Sequence, residues 1–388
     1  MKITDVQASV IGRGEPHSGG CIWTFVRIYT DEGIVGTGEC NSAAAGASGF
    51  AVKVAIEHMK TALIGQDPTN PGYLWEMLRR RGRYGGTTHA PLIFALTGIE
   101  NALMDITGKA LGVPCYKLLG GKFRDNIRLY ADLHAGDEET PEAYAAKAGE
   151  VVANEGYSAL KFDVDHTGVG KLDRWNWTVG TQEMVHIINL IAASREAIGY
   201  DIDLAIDCHG QFDVPSAITL AKAVEPLRLM WLEEPVPAEN IDAMAQVKAG
   251  TSTVICTGEN QYTRWEFLEL LQKQACDVIM PDLAKAGGML EGKRIADIAD
   301  AFYVPVAPHN VSSPLGMMAM CHVCASIPNF LVLEFHGREI PWWNDLCDGD
   351  KPFIDNGWMR VSEKPGNGVE LNDNVAKTLL WGGDTYFD

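Results

Sequence analysis

Between residues 204 and 260 three short apolar runs each end on an acid: Ile206-Asp207-Cys208-His209-Gly210, Trp231-Leu232-Glu233-Glu234-Pro235 and Thr257-Gly258-Glu259-Asn260. Asp207, Glu233 and Glu259 follow one another at intervals of 26 residues, and the segment Val214–Val224 between the first two has helical spacing. Short apolar runs separated by helix-period segments imply parallel strands joined by crossover helices. The same alternation extends outward on both sides. Eight runs are found: Ile127–Leu133, Ala159–Val164, Leu204–Cys208, Met230–Glu234, Val254–Glu259, Asp277–Asp282, Val304–His309 and Phe330–Phe335. Pro141–Asn154, Glu183–Ile198 and Met289–Ala301 are further helical segments among them. Eight units in roughly 200–250 residues suit a closed (β/α) barrel. A doubly wound open sheet would want a glycine-rich phosphate turn after its first strand, and none is present.

The first third of the chain reads differently. Thr24–Tyr29 and Ile34–Glu39 alternate as half-buried strands around an Asp31-Glu32-Gly33 turn, and Ala51–Leu63 and Pro91–Leu111 are apolar-faced helices. This is an α+β block. The expected division is 1–125 for that block, 126–356 for the barrel, and 357–388 for a segment returning to the first block. Trp358–Val361 and Gly366–Leu371 are expected to be irregular.

Composition limits the function. With 46% hydrophobic and 21% charged residues the chain is ordinary globular protein. Its 32 Lys and Arg against 51 Asp and Glu give a net charge of −19. Such a surface repels phosphate backbones and anionic lipid, so neither nucleic acid nor a membrane is expected as a partner. An anionic substrate would need local positive charge to overcome that field. The start carries no basic stretch followed by an apolar core, no run is long enough to span a bilayer, and the nine cysteines are scattered. The cytosol is the expected compartment. Cys321-His322-Val323-Cys324 reads as two buried thiols one helical turn apart.

In a parallel barrel the C-terminal strand ends face one mouth. Lys161 and Asp163, Asp207 and His209, Glu233, Glu259, Asp282, His309 and Glu334 all sit at such ends. The interval of 26 places Asp207, Glu233 and Glu259 at one depth. Three convergent carboxylates raise one another's pKa unless a cation joins them. Oxygen-only ligation favours Mg²⁺ over Zn²⁺. Taken singly, each carboxylate could equally be a helix cap or a rim group. Asp282 beside His309 suits a general base, because a carboxylate fixes the imidazole tautomer and raises its basicity. Lys161, inside an apolar strand, is expected to have its pKa lowered by a neighbouring cation. His209 is either an acid or a hydrogen-bonding neighbour of the metal site. Glu334 is a hydrogen-bond donor if protonated. His17, His134 and His166 lie near strand ends or in loops and could reach a ligand. His58, His186 and His322 lie in helical patterns, and Trp175, Trp177, Trp342 and Trp343 read as loop anchors.

With these residues in hand, the chain resembles the mandelate racemase subgroup of the enolase superfamily. The resemblance rests on Gly98-Ile99-Glu100-Asn101-Ala102-Leu103-Met104-Asp105-Ile106-Thr107-Gly108-Lys109, on Pro114 and Leu118-Leu119-Gly120-Gly121, and on the Glu233-Glu234-Pro235 and Gly258-Glu259-Asn260 motifs. Met104 stands where tryptophan is usual. The resemblance implies an N-terminal α+β capping domain on a modified TIM barrel, (β/α)₇β. It implies one Mg²⁺ per chain on Asp207, Glu233 and Glu259, an Asp282–His309 base, Glu334 as electrophilic partner, and a homo-oligomer. Asp163 replaces the second lysine of the Lys-x-Lys motif found in racemases, which disfavours a two-base reaction. Asp207-Cys208-His209-Gly210 looks more like galactonate dehydratase and related acid-sugar dehydratases, where the histidine protonates the departing hydroxyl. Asn260 departs from galactonate dehydratase, which has arginine there. The expected reaction is therefore dehydration of a sugar acid to a 2-keto-3-deoxy acid. The loops Arg13–Trp23 and Asn41–Phe50 would close over the mouth, with Arg13, His17, Asp163 and Asn260 as substrate contacts. A racemase, epimerase or cycloisomerase using Lys161 and His309 is the alternative enzyme. A non-catalytic barrel that binds sugar acids is the alternative of another class.

Overall fold

The computed structural model of the chain describes residues 1–14, 21–40, 47–81, 89–135, 139–165, 169–170 and 175–387. The first block is an antiparallel meander of β1 (Ile3–Gly12), β2 (Ile22–Thr30) and β3 (Val35–Cys40), with α1 (Ala47–Leu63), α2 (Pro71–Arg81) and α3 (Leu92–Leu111) packed on it and a short α4 (Cys115–Leu118) after it. Gly33 turns the second hairpin with φ +78. β3 lies directly on α3: a Cβ on Gly36 would come 2.2 Å from the Ala102 carbonyl oxygen, and one on Gly38 would come 2.1 Å from that of Gly98. Glycine at both positions is what lets sheet and helix backbones touch. The apolar faces of these elements form a core of their own, from Ile3 and Val26 to Leu103 and Ile106.

Strands and helices then alternate. They run β4 (Asn126–Leu133), α5 (Pro141–Glu155), β5 (Ala159–Asp163), α6 (Thr181–Ile198), β6 (Asp203–Asp207), α7 (Val214–Ala223), β7 (Trp231–Glu233), α8 (Ile241–Ala249), β8 (Ile255–Thr257), α9 (Thr263–Gln272), β9 (Val278–Ile279), α10 (Met289–Ala301), α11 (Pro314–Ser326) and β10 (Leu333–Phe335). Local chemistry starts several of the helices. The Thr140 hydroxyl accepts from the Ala143 N–H, and Asp213 accepts from the Ser216 N–H, each followed by a proline in the first turn. β4 through β9 pair in parallel and in sequence order, and β10 pairs with β4. Single parallel bridges Ile279–Val306 and Val306–Phe330 join the remaining edges, so the sheet closes on itself. The run Val304–His309, expected as a full strand, contributes only these two bridges, both at Val306. Seven helices, α5 to α11, separate these eight positions, the (β/α)₇β order. No described helix is long and apolar enough to cross a membrane.

The C-terminal segment departs from expectation. β11 (Cys347–Asp348) precedes a hairpin of β12 (Ile354–Asp355) and β13 (Trp358–Arg360), and β13 pairs antiparallel with β4. Trp358–Val361, expected as irregular, is therefore mostly strand laid against the first barrel strand, because β4 offers an unpaired edge near its start. β14 (Glu370–Leu371) pairs with β11, and α12 (Asp373–Thr378) follows. The chain then returns to the first block: Gly366 bridges to Pro114, Leu380 bridges to Ile11, and Asp384 accepts from Lys53 Nζ at 2.6 Å and from the Val10 N–H at 2.8 Å.

Buried carboxylates join the two halves. Glu39 on β3 accepts from the Ser313 and Gly316 N–H groups, both at 3.0 Å, at the start of α11. Glu100 on α3 accepts from the Met289 N–H at 2.7 Å and the Leu290 N–H at 3.1 Å, at the start of α10. Each acid of the first block thus caps the N-terminus of a barrel helix, where unpaired N–H groups and the helix dipole favour an acceptor. Burial nevertheless pushes the Glu39 carboxyl up to about 7 and the Glu100 carboxyl up to about 8. A carboxyl with a raised folded pKa stays protonated in the native chain while the unfolded chain already ionises from 4.5, so stability falls as pH rises through that window and levels off above about 8. We expect the urea midpoint to drop between about pH 5 and about pH 8. The drop should be smaller in a Glu39→Gln, Glu100→Gln double variant, by the equivalent of about 1–3 kcal/mol. An equal drop in both proteins would show that the helix ends hold these acids ionised.

Candidate active site

The floor of the barrel is apolar. Tyr130, Ala159, Ala205, Trp231, Cys256, Met280, Ala307 and Val332 fill its interior. Two residues further along each strand the same inward face turns polar: Asp132, Lys161, Asp207, Glu233, Asp282, His309 and Glu334. Glu259 breaks this phase. The β7–β8 register pairs Glu233 with Cys256, so the three acids do not stand at one depth as their even spacing suggested. Gly258, at φ +139, breaks the strand's alternation and turns Glu259 inward. A side chain at 258 would also press on Phe267 and the Met280 nitrogen. One oxygen each from Asp207, Glu233 and Glu259 then lies within 4.8 Å of the others.

Lys161 sits among these acids. Its Nζ lies 2.9 Å from Asp207 Oδ2, 3.0 Å from Glu233 Oε1 and 2.8 Å from Glu334 Oε1, all nearly fully buried. Burial opposes charge on the ammonium, but the three carboxylates together hold its pKa well above the ordinary lysine value. The lowering expected from a neighbouring cation would act against these three acids. Burial and the Asp207 charge push Glu233 well up. Trp231 Nε1 donates to Glu233 Oε2 at 2.8 Å and fixes that side chain. The second oxygen of Glu334 accepts from the Asn310 N–H at 2.8 Å. Asp207, Glu233 and Glu259 are all buried and present only oxygens to one another. This donor set fits a small, hard dication.

Two histidine–carboxylate pairs flank the lysine. His309 Nδ1 lies 2.8 Å from Asp282 Oδ2, and its Nε2 lies 2.9 Å from Glu259 Oε2. Burial works against charge on His309, yet Glu259 and Glu334 raise its pKa well above the usual imidazole value. Asp282 is held in place by the Ala284 N–H at 2.8 Å and by Lys285 Nζ at 3.4 Å. Across the mouth, His209 Nδ1 lies 3.1 Å from Asp165 Oδ1. His209 lies beyond the strand end at φ +43, and its N–H is held by Asp207 Oδ1 at 2.9 Å. Burial opposes its charge, but Asp207, Asp165 and Asp163 push its pKa up to about 11. Asp165 and Lys285 were not anticipated. The period of two along Lys161, Asp163 and Asp165 is the signal for the first. Lys285 lies in a turn after β9 that no strand period reaches.

The expected substrate contacts divide. Asp163 faces the mouth, and burial with the Asp132 and Asp207 charges pushes its carboxyl well up. Asn260 Nδ2 donates to Glu234 Oε2 at 2.6 Å and Glu259 Oε1 at 3.2 Å, so it ties two carboxylates together. It also lines a groove of about 800 Å³ that reaches the site only at its His209, Glu234 and Asn260 end. Arg13 is exposed and its guanidinium donates to the Thr378 carbonyl at 3.5 Å. His17 and His166 lie outside the described residues. Trp175 and Trp177 are exposed, whereas Trp343 is buried and donates to the Ser312 carbonyl at 3.0 Å. His322 is a packed residue on α11, bonded to the Asn367 carbonyl at 3.0 Å, and Cys321 and Cys324 beside it are buried thiols.

Comparison with known proteins agrees over the whole chain. Residues 143–375 match the family described as enolase C-terminal domain-like, and residues 19–120 match the mandelate racemase / muconate lactonizing enzyme N-terminal domain. The D-xylonate dehydratase of Haloferax volcanii is 43% identical over 387 residues, which is 100% of this chain and 91% of the relative. The D-galactonate dehydratase of Variovorax paradoxus is 32% identical over 356 residues, 90% of this chain and 89% of the relative. The crystal structure of a mandelate racemase/muconate lactonizing enzyme-like protein from Rubrobacter xylanophilus superposes with a TM-score of 0.93 at 41% identity, covering 100% of this chain and 99% of that one.

The charge balance around Lys161 is directly testable. Lys161→Met leaves Asp207, Glu233 and Glu334 buried without their cation. Urea unfolding in chelator at neutral pH should show a loss of about 3–5 kcal/mol. The loss should be smaller in acid than at neutral pH, because burial and the Asp207 charge already favour the neutral form of Glu233. An unchanged midpoint at neutral pH would show that these acids are already neutral.

Proposed function

The chain belongs to the mandelate racemase subgroup of the enolase superfamily, and from this premise we propose that it dehydrates an aldonate to the 2-keto-3-deoxy acid. An acid-sugar dehydratase is the coarse reading that its D-xylonate and D-galactonate dehydratase relatives support. Straight-chain five-carbon aldonates of the xylonate type are the first choice, since that relative is 43% identical.

The observation that carries the reading is the pair of histidine–carboxylate dyads on opposite sides of a fully engaged lysine. A racemase needs a base on each face of the α-carbon. Lys161 is committed to three carboxylates at 2.8–3.0 Å and makes a poor second base. Elimination needs one base and one acid. His309, oriented by Asp282, removes the proton from C2. His209, oriented by Asp165, gives a proton to the 3-hydroxyl, which leaves as water. The enol that remains tautomerises to the ketone. Lys161 offers fixed positive charge where the carboxylate gains negative charge, a preorganised contribution worth several kcal/mol.

Asp207, Glu233 and Glu259 would hold Mg²⁺. When bound, the ion supplies a double positive charge that acidifies the proton α to the carboxylate. His309 acts as a base only as neutral imidazole, and the Glu259 carboxylate that now favours its charged form is one of the three that would ligate the cation.

Chelator should abolish turnover of xylonate, and Mg²⁺ should restore it. Asp207→Asn should weaken Mg²⁺ binding by tenfold or more, on the order of 10–100-fold, in calorimetry. Full activity in chelator would remove the metal from the mechanism. In D₂O, His309→Asn should lose both exchange at C2 and product. His209→Ala should keep exchange while product formation falls about 10²–10⁴-fold. Product formation without exchange in His209→Ala would reverse the division of roles.

A further inference from the structure

β4 and β10, the strands that close the ring, carry a third histidine–carboxylate group that the proton transfers above do not use. Asp132 Oδ2 lies 2.6 Å from His336 Nδ1. His134 Nε2 lies 3.9 Å from the same oxygen, and its Nδ1 lies 3.7 Å from Asp163 Oδ2. The two imidazoles meet edge to face, 5.5 Å between centroids at 83°. Tyr130 and Val332 belong to the barrel interior, so the period of two turns Asp132 and His134, and Glu334 and His336, into the same mouth. In the order of the ring these two strands stand across from β7 and β8, which carry Glu233 and Glu259.

We propose that Asp132, His134 and His336 form a subsite for the hydroxyl groups of the substrate beyond C3, and that it selects an uncharged polyhydroxyl tail over a second carboxylate. The inference rests on the aldonate dehydratase reading and deepens it. A substrate whose carboxylate end lies at Glu233 and Glu259 extends its remaining carbons toward the opposite strands. A sugar hydroxyl both donates and accepts, and the cluster offers both kinds of partner. Asp132 Oδ1 is buried with no hydrogen-bond partner among the described residues, a standing acceptor. Burial lowers the His134 pKa and keeps its ring neutral, with one donor and one acceptor nitrogen. One polar atom from each of the three side chains lies within 4.8 Å of the others, close enough for one hydroxyl to reach two of them. A terminal carboxylate only accepts and cannot donate to Asp132 Oδ1, whereas a hydroxyl can. Burial works against ionisation of Asp132, yet Lys161 and His336 hold its carboxyl well below the usual range.

A cycle that pairs a protein change with a substrate change tests this. His134→Ala is the first variant because that side chain is a third exposed and its loss leaves the barrel floor intact. His336→Gln is the second. Each is assayed by kcat/KM on xylonate and on its 4-deoxy and 5-deoxy analogues. For the wild type, loss of the recognised hydroxyl should lower kcat/KM roughly tenfold, and His134→Ala should do the same on xylonate. Combined, the two changes should cost little more than either alone, because they remove the same interaction. Losses that multiply for both variants, or deoxy analogues that match xylonate in the wild type, overturn the subsite and leave the dehydratase reading intact. A wild type that forms no 2-keto-3-deoxy product from any aldonate overturns the dehydratase reading, and the subsite with it. A wild type that prefers an aldarate to the aldonate of equal length overturns the selection against a second carboxylate.

Discussion

One ammonium buried among carboxylates governs the mouth of this barrel. Lys161 reaches Asp207, Glu233 and Glu334 at once, and each of those side chains arrives on a different strand. Like charges brought this close cannot all stay ionised without compensation. The lysine supplies part of it, protonation of an acid supplies more, and a dication would complete it. The same convergence sets the state of the neighbours. His309 and His209 owe their raised pKa values to the acids that surround them. The charge of the acids and the protonation of the two histidines are thus one electrostatic problem with one solution. The net charge of −19 does not bear on it, because the local balance is settled within a few ångströms.

The same chemical device, an acid placed where donors are unpaired, joins the two halves of the molecule. Glu39 and Glu100 leave the first block and end on the N–H groups that begin α11 and α10. Asp105 does similar work, accepting from the Thr37 and Asn367 N–H groups and linking α3 to both β3 and the C-terminal segment. These contacts are specific in direction, which an apolar interface alone would not be. They hold the first block against the helices whose preceding turns carry Asp282 and His309.

Much of the fold was legible because the period of the apolar pattern is local. The alternation of runs and helices from Ile127 to Phe335 needs no knowledge of contacts, and most expected segments match the elements observed to within a few residues. Val304–His309 failed as a full strand because its neighbours bridge to it at Val306 alone. The C-terminal strand against β4 was missed for a related reason. Trp358–Arg360 is three residues long, too short to show a period, and only the free edge of β4 makes it a strand.

The site shows the same division more sharply. By itself the sequence determined which residue types end the strands, and therefore which side chains can meet at one mouth: Lys161, Asp207, Glu233, Asp282, His309 and Glu334 follow from strand period. Partnership was decided only by the tertiary structure. Even spacing suggested equal depth for Glu259, whereas the turn at Gly258 brings it in from a different level. Asp165 became the partner of His209, and Asp132 that of His336, across 44 and 204 residues of chain. Spacing along a chain fixes which way a side chain faces. Distance across a ring depends on closure of the sheet, and closure is a property of all eight strand positions together.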